Sequence, residues 1–385
     1  MRLAHLLVLF ISLTSLIRAE PLFRRQDIFT SGVDGINIYR IPAMIVSPKG
    51  TILAFCEARE GDDGDPTDLV LKRSLYDGRP SKARKLNGYE RVFGNGVNWE
   101  RMQVVLPGKG KAIMQNSPVI DLNNGTIWIV CYEVSGGLEQ HLKDVWRGRV
   151  LVLKSTDDGV TWSRPVDITL SVGAFVAGPG VGIQLKSGRL VIPGYGPNNS
   201  GKGSSRVIYS DDHGQTWRAG SYVTGKTDES QAVELADGTL MLNMRSNRGK
   251  WRRYVALSHN GGDTWYKEYD DEGLPEPGCQ ASILRYSTES NGGKNLLLFS
   301  NPPNPGPWSD RTKLTVKLSY DEGQTWRMSR RVNDGPGAYS SLSVLPDGTI
   351  GLLYETGDIH PYEKITFVQF NLEWLTSSGA HQPKE

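Results

Sequence analysis

The sequence has few of the features that mark several large classes of protein. Its three cysteines, Cys56, Cys131 and Cys279, are widely spaced, so a disulfide framework is not expected to hold the fold together. Its six histidines form no HExxH motif and no paired Cys/His spacing, so we expect no catalytic metal and no cofactor. Neither a P-loop nor a GxSxG motif occurs. No basic tract suggests nucleic acid or an anionic membrane surface as a partner.

The start of the chain has the pattern of a secretory signal. Arg2 precedes an apolar stretch over residues 3–17, and the small residue Ala19 comes before the charged sequence that follows. The stretch is shorter than the roughly 20 residues that a membrane-spanning helix needs. We therefore expect residues 1–19 to be a signal peptide and residues 20–385 to form a single domain. We expect the protein to be exported, as a secreted, periplasmic or lysosomal protein without a stable membrane anchor.

One pattern of eight residues, Ser-x-Asp-x-Gly-x-Thr-Trp, recurs along the chain, and we call each copy an Asp box. The copies are STDDGVTW (155–162), SDDHGQTW (210–217), SYDEGQTW (319–326) and SHNGGDTW (258–265), which has Asn260 in place of the aspartate. The Ser and Asp can hydrogen-bond nearby backbone, the Gly permits a left-handed bend and the Trp can pack. The boxes lack a further carboxylate at calcium-loop spacing. Because nothing in them is reactive, we predict structural turns.

A second repeat indicates the fold. A glycine followed by a β-rich run occurs six times, at Gly50, Gly125, Gly188, Gly238, Gly293 and Gly348. Spacings of about 50 to 75 residues suit a four-stranded antiparallel sheet with its loops, the unit of a β-propeller. One further box is degenerate, because an insertion separates its Ser74 from Trp99. The sequence therefore predicts an all-β fold, a six-bladed β-propeller of four-stranded antiparallel sheets.

Function in such a ring is expected where loops at one end converge on the central axis. Arg40 lies just before a strand in IYRIPAMIV, Arg245 ends the run LMLNMR, and Arg311 precedes LTVKLS. An arginine stays charged and presents a planar fork that fits a carboxylate, so three of them together would bind an anion, most naturally a substrate carboxylate. Their position alone leaves open that they are solvated surface residues.

The YRIP motif, the Asp boxes and these arginines together resemble the exo-sialidases (neuraminidases), over essentially the whole chain after the signal. The resemblance implies the six-bladed sialidase fold, with Arg40, Arg245 and Arg311 gripping the carboxylate of sialic acid. The segment AFCEAREGDDGDPTDLVLKRS resembles the one that carries a further substrate-contacting arginine and an acid/base aspartate, here Arg59 and Asp65.

The choice of aspartate depends on spacing. Asp65 has the expected separation from Arg59 and from KRS, but Asp62, Asp63 and Asp68 crowd the same loop.

Two later segments complete the resemblance. TDESQAVELADGTLMLNMR resembles the segment in which a glutamate precedes the second triad arginine, and its spacing selects Glu229 over Glu234. GAYSSLSVLPDGTIGLLYE resembles the nucleophile segment, with Tyr339 as the nucleophile and Glu355 as the acid that orients Arg40. Taken singly, Tyr339 could be a packing aromatic and Glu355 a solvated strand end.

The resemblance implies hydrolysis of terminal α-linked sialic acid from glycoproteins, glycolipids or oligosaccharides, with retained configuration. Sialic acid carries a carboxylate on its anomeric carbon, which would repel an attacking carboxylate but not a neutral phenol. A phenol with a pKa of about 10 needs a base, the role implied for Glu229. Sialidases with a tyrosine nucleophile are an established exception to the two-carboxylate scheme.

Three other functions remain open on the sequence. They are transfer of sialic acid to another sugar, non-catalytic binding of sialoglycans, and a different glycosidase that uses two carboxylates. Erosion of Asp65, Glu229 or Tyr339 would favour the binding protein, yet all three are present. A two-carboxylate glycosidase has no need for three arginines around one axis.

Overall fold

The structure is a computed structural model, and it describes residues 19–75, 85–86, 89–90, 97–135, 146–291 and 293–377. The expected signal peptide, apart from Ala19, lies outside the described residues, as does most of the insertion between Ser74 and Trp99. Those two residues pair with each other in an antiparallel bridge, so the ends of the insertion meet. None of the helices within the described residues has the length and hydrophobicity of a membrane-spanning segment.

Nearly all of the regular structure is β-strand. The strands in the first part of the chain are β1 (Phe23–Thr30), β2 (Ile38–Val46), β3 (Thr51–Arg59), β4 (Thr67–Leu75), β5 (Lys85–Leu86), β6 (Tyr89–Glu90), β7 (Gln103–Leu106), β8 (Ala112–Asp121) and β9 (Thr126–Val134). Those in the middle are β10 (Arg149–Ser155), β11 (Val166–Asp167), β12 (Val176–Ala177), β13 (Ile183–Gln184), β14 (Leu190–Pro197), β15 (Gly203–Ser210), β16 (Arg218–Ala219), β17 (Thr227–Glu234), β18 (Leu240–Ser246) and β19 (Arg252–Ser258). Those in the last part are β20 (Lys267–Pro275), β21 (Ser282–Ser287), β22 (Leu296–Asn301), β23 (Thr315–Ser319), β24 (Met328–Arg331), β25 (Gly337–Val344), β26 (Ile350–Thr356) and β27 (Lys364–Phe370). The described helices are α1 (Thr169–Val172) and α2 (Leu372–Thr376), with short 3-10 turns at Glu289–Asn291 and Trp308–Asp310.

The predicted all-β propeller arrangement is confirmed, but the predicted count of six separate blades is not. Four sheets stand alone, in the orders β1-β27-β26-β25, β12-β14-β15-β16 with β13 on β14, β17-β18-β19-β20 and β21-β22-β23-β24. The strands β2–β4 and β7–β11 instead form one eight-stranded sheet. Its two halves are joined because Thr67 at the start of β4 pairs in parallel with Ala112 at the start of β8. Among the described strands, β5 and β6 pair only with each other.

The two ends of the described chain meet in one sheet. Strand β1 pairs antiparallel with β27, from Phe23 opposite Phe370 to Thr30 opposite Lys364. The first strand therefore completes a sheet whose other strands are the last three of the chain. This pairing closes the ring and leaves the innermost strands, among them β2, β8, β17 and β25, facing the axis.

The hydrophobic core lies between neighbouring sheets. Val130 of β9 and Ile192 of β14, for example, are fully buried in one cluster that spans two sheets. Burying an aliphatic side chain of this size contributes about 1.5–3 kcal/mol relative to leaving it exposed. The blades are thus held side by side by apolar packing, and the polar residues of the axis are supported by this packing.

The internal hydrogen bonds of the Asp boxes agree with the predicted turns. In the first box the Ser155 hydroxyl accepts a hydrogen bond from the Gly159 N–H at 2.9 Å. The Asp157 carboxylate accepts one from the Thr161 N–H, also at 2.9 Å. These bonds stay within the box, so they fix the turn but do not join it to the rest of the molecule.

The fourth residue of each box has a second role that the sequence did not suggest. Asp158, His213, Gly261 and Glu322 all have left-handed backbone with φ between 61° and 66°. Each contacts the preceding group of strands: Asp158 with the Thr51 hydroxyl at 2.5 Å, His213 with Asp121 at 2.8 Å, Gly261 O with Arg189 at 3.2 Å, and Glu322 with the Ala236 N–H at 2.8 Å. The last three boxes therefore join neighbouring sheets, and the first joins the two halves of the eight-stranded sheet, at the end of the strands away from the functional site.

Loss of one such contact should lower stability without changing the site. Glu322→Ala removes the bond to the Ala236 N–H and the ion pair with Arg285, which is 2.5 Å long. Because both side chains are partly exposed, we expect a loss of about 1–2 kcal/mol in the free energy of unfolding, measured by urea denaturation. Glu289→Ala, at an exposed glutamate, is the control. Equal stabilities for the two variants would contradict the proposed contact between blades.

Candidate active site

Four innermost strands are irregular near their first residues. The register shifts lie between Arg40 and Ala43 in β2, Met114 and Ser117 in β8, Thr227 and Ser230 in β17, and Gly337 and Ser340 in β25. A bulge bends its strand and redirects side chains. Ile41 and Gln115 have φ of 59° and 57°, which is unusual for residues other than glycine. The bulged stretches carry Arg40, Glu229 and Tyr339, which gather at this end of the axis.

Glu355 joins two of these stretches. Its fully buried carboxylate accepts hydrogen bonds from Arg40 Nε at 2.7 Å, from the Ile41 N–H at 2.9 Å and from the Tyr339 N–H at 3.1 Å. One carboxylate thus fixes the guanidinium of Arg40 and the backbone at Tyr339. This geometry agrees with the prediction that Glu355 contacts Arg40. It does not agree with the alternative that Glu355 is a solvated residue at the end of a strand.

Tyr339, Glu229 and Arg245 form a compact group. The Tyr339 phenol donates a hydrogen bond to Glu229 Oε1. Arg245 Nη1 donates to Glu229 Oε2 at 2.8 Å and to the phenol oxygen at 3.3 Å. Burial, followed by the charge of Glu229, raises the pKa of Tyr339 well above its ordinary value, against the opposing charges of Arg245 and Arg311. The phenol is therefore neutral. Its proton points to the carboxylate of Glu229, which can accept it.

Arg311 differs from the other arginines of the site. Its Nη1 donates to the Tyr362 hydroxyl at 2.9 Å and its Nη2 to the Gly278 carbonyl at 2.7 Å. Its Nε has no hydrogen-bond partner among the described residues, and only 7% of the residue is exposed. Within the described chain it forms no ion pair, so its charge is open to an anion from outside.

Tyr362 is a residue of the site that the sequence analysis missed. Its ring lies 3.6 Å from Arg40 Cζ, and its hydroxyl accepts the hydrogen bond from Arg311. The side chain therefore contacts two of the three predicted carboxylate-binding arginines. Its only sequence signal is an aromatic residue in the loop that follows Glu355, and a loop aromatic has too many other roles to be chosen on that basis.

Arg59 ends β3 and is held by acids. Its Nε donates to the buried Glu57 carboxylate at 2.7 Å, and its Nη1 bonds Asp63. Burial raises the pKa of Glu57, although the Arg59 charge opposes the shift. The described bond of the Asp65 carboxylate is to the Asp62 N–H at 2.8 Å, within its own loop. The structure thus brings Asp63, and not Asp65, into contact with Arg59.

The surroundings of Glu229 carry further polar groups outside the predicted set. The Asp228 carboxylate accepts hydrogen bonds from the Glu229 N–H at 2.6 Å and from Asn247 at 2.8 Å, and burial raises its pKa. Tyr195 lies close enough that the charges of Glu229 and Asp228, after burial, raise the pKa of its phenol. The cluster is thus rich in acids as well as arginines.

The metal-binding residue types are not grouped in the described part of the chain. No set of three or more His, Cys, Asp or Glu side chains is placed to hold a metal ion there. Cys56, Cys131 and Cys279 are all buried and unpaired, so the fold contains no disulfide bond.

Removing the charge of Glu355 should be costly. Glu355→Gln would leave Arg40 buried without an ionised partner, and breaking a buried pair in this way costs about 3–5 kcal/mol. We expect a loss of that size in the free energy of unfolding by urea denaturation. Glu100→Gln, which breaks the more exposed pair with Arg73 (3.0 Å), should cost less than about 1 kcal/mol. A Glu355 variant as stable as the Glu100 variant would show that the Arg40 pair is not essential.

The chain is similar to known sialidases. Residues 50–352 match the family model described as a BNR repeat-like domain. The chain is 36% identical over 379 residues to a sialidase from Micromonospora viridifaciens, covering 92% of this chain and 55% of that protein. It is 30% identical over 397 residues to an exo-alpha-sialidase from Aspergillus fumigatus, covering 92% and 90%.

The fold of this chain is also similar to that of a solved sialidase structure. The Hadza microbial sialidase Hz136 aligns with a TM-score of 0.74 and 29% identity, over 89% of this chain and 67% of that one. The chain spans 55% of the length of the Micromonospora protein and 62% of that of a sialidase from Bacteroides fragilis.

Proposed function

The chain belongs to the sialidase family with BNR repeats, and on that premise we propose that it hydrolyses terminal α-ketosidically linked sialic acid from glycoproteins, glycolipids or oligosaccharides. One observation carries the proposal. Arg311, which has no acidic partner in the described chain, lies beside a phenol that is hydrogen-bonded to Glu229. An open cationic site next to a neutral nucleophile with its own base suits a substrate that carries a carboxylate at its reacting carbon.

The carboxylate would bind among three arginines. Arg40 Cζ and Arg311 Cζ lie 5.3 and 5.2 Å from the centre of the Tyr339 ring, and Arg245 contacts its phenol oxygen. Arginine forks bind carboxylates through paired hydrogen bonds. Because the carboxylate of sialic acid is attached to the anomeric carbon, holding it there brings that carbon close to the phenol oxygen of Tyr339. Arg59 would contact the substrate from the neighbouring strand.

Two displacements complete the proposed reaction. Tyr339 attacks the anomeric carbon and passes its proton to Glu229, while Asp65 gives a proton to the departing glycosidic oxygen. Asp65 then takes a proton from water, the water oxygen bonds to the anomeric carbon, and Tyr339 leaves and recovers its proton from Glu229. Inversion at each step gives net retention. The Asp62 N–H bonds only Asp65 Oδ2, so Oδ1 would carry the proton in the proposed acid/base role.

The organisation of the chain is part of the proposal. Residues 1–19 would be a signal peptide that directs export, and residues 20–385 one propeller domain. The eight-stranded sheet would count as two blades, which gives six in all. The antiparallel pairing within each half and the parallel link at Thr67 and Ala112 support this division.

The test is turnover of a methylumbelliferyl sialoside by the purified chain, with product analysis by NMR. We expect release of the fluorophore and of free sialic acid whose first-formed anomer is α. Transfer of sialic acid to an added galactoside would identify a trans-sialidase. Binding of sialoglycans without turnover over a broad pH range would instead identify a binding propeller.

A further inference from the structure

A fully buried ion pair lies beneath the site and takes no part in the reaction above. Arg253 and Glu276 are both 0% exposed, with Arg253 Nη1 2.6 Å from Glu276 Oε2. Removing two charges from water is expensive, and apolar residues of similar size are often as stable or more so. A contribution to stability therefore does not explain well why a buried ion pair is present here. Its hydrogen bonds indicate another role.

The pair holds strand β18 on both sides of Arg245. Arg253 Nε donates to the Asn243 side-chain oxygen at 2.7 Å. Glu276 Oε1 accepts the Ser246 N–H at 2.8 Å. Asn243 precedes Arg245 by two residues and Ser246 follows it directly. The backbone that carries Arg245 is thus fixed from the buried side.

The same pair holds the turn Glu276–Gln280, which separates two guanidinium groups. Arg253 Nη1 also donates to the Cys279 carbonyl at 2.8 Å. The Gly278 carbonyl accepts the bond from Arg311 Nη2 at 2.7 Å. Gly278 has φ of 60°, and a Cβ on it would lie 3.9 Å from Arg245 Nη2. Gly278 is therefore bonded to Arg311 and lies close to the Arg245 guanidinium.

The end of this turn also contacts the strand of Tyr339. Gln280 donates through Nε2 to the Ser340 carbonyl at 3.0 Å and accepts the Ser340 N–H at 2.9 Å. Cys279 packs in the same buried apolar cluster as Tyr339. One turn of five residues therefore touches the strand or side chain of Arg245 in β18, of Tyr339 in β25, and of Arg311 in the connection that precedes β23.

We propose that the turn Glu276–Gln280, anchored by Arg253, is the positioning element of this site, which sets the distance between the arginines that bind the substrate carboxylate and their place relative to Tyr339. The identity of that ligand rests on the function proposed above. Arg253 and Glu276 are buried and act through the turn, so they are positioning residues.

The test compares Glu276→Gln with a matched variant far from the site. The substitution keeps the size of the side chain but removes the ion pair. A shift of about 1 Å at a positioned group can cost up to about 10²-fold in rate, so we expect kcat/KM to fall at least about tenfold, mainly through KM. Arg253→Lys should act in the same direction, because an ammonium group cannot donate to Asn243, Glu276 and Cys279 in one geometry. Glu322→Gln, which breaks the ion pair between an Asp-box residue and Arg285, should leave KM unchanged.

A double variant separates positioning from stability. Arg253→Met with Glu276→Leu removes both buried charges, so the thermal midpoint should recover relative to Glu276→Gln. KM should nevertheless stay raised, because neither new side chain can hold the turn. Wild-type KM in this double variant, or in Glu276→Gln, would overturn the proposal.

A crystal structure of Glu276→Gln distinguishes this proposal from the proposed function. Loss of the contact between Gly278 O and Arg311 Nη2 would support the positioning role even if the wild-type chain released no sialic acid, in which case only the proposed function fails. Unmoved Arg245 and Arg311 in that structure would overturn the positioning role whatever the activity.

Discussion

Tyr339→Phe should lower kcat for a methylumbelliferyl sialoside by about 10³-fold or more, with KM changed only a few-fold. The substitution removes one oxygen atom, which is the group that attacks in the proposed reaction and the donor of the bond to Glu229. The ring stays, so its packing beside Arg40 and Arg311 should persist. The measurement is steady-state kinetics with the purified variant, together with its thermal midpoint.

Tyr354→Phe is the matched control for this prediction. Tyr354 is a fully buried tyrosine in β26, the strand that pairs with β25. It should keep full turnover, since its ring belongs to a core cluster away from the arginines. Turnover by Tyr339→Phe equal to that of the control would remove Tyr339 from the role of nucleophile.

Arg311→Lys should lower kcat/KM by about 10²-fold, chiefly by raising KM. Lysine keeps the positive charge but lacks the planar guanidinium group, which can donate to Tyr362, to Gly278 and to an incoming carboxylate at the same time. The effect should be larger than for a paired arginine because no described acid shares the charge of Arg311. Inhibition by free sialic acid should weaken in parallel, which a competition assay measures.

Arg189→Lys is the control for Arg311→Lys. Arg189 is partly buried and bonds Asp211 at 2.7 Å, and it lies at an Asp box contact between sheets. The Arg189→Lys variant should have an altered free energy of unfolding but the KM of the wild type. Equal KM values for the two variants would show that Arg311 does not bind the substrate carboxylate.

The sequence predicts the elements of this fold better than their assembly. The Asp boxes and glycine-led runs mark strands and turns because they depend on local backbone chemistry. The link between β4 and β8 depends on one parallel pair, Thr67 and Ala112, for which no local pattern exists. The contacts of Asp158 and Glu322 with earlier parts of the chain were missed for the same reason, since they join residues 107 and 86 positions apart.

The candidate site was predicted by resemblance to a family, and spacing served only to choose among neighbouring acids. Arg40 and Glu355 are 315 residues apart, and only a known template suggests that they meet. The resemblance to sialidases did not point to Tyr362 or to the buried Arg253, because their roles arise from packing beneath and beside the site. It also did not predict that Asp65 would bond its own loop, since a crowded acidic loop has several hydrogen-bonding arrangements of similar energy.

The most direct test of the central claim is to treat the purified chain with a fluorinated sialyl fluoride and identify the labelled peptide by mass spectrometry. The fluorine next to the anomeric carbon should slow both displacements, and the fluoride leaving group should allow the first to proceed. The proposed reaction predicts one sialyl group on the phenol oxygen of Tyr339, and no label in Tyr339→Phe. A label on Asp65 or Glu229, or steady turnover of the sialoside with no trapped adduct, would contradict it.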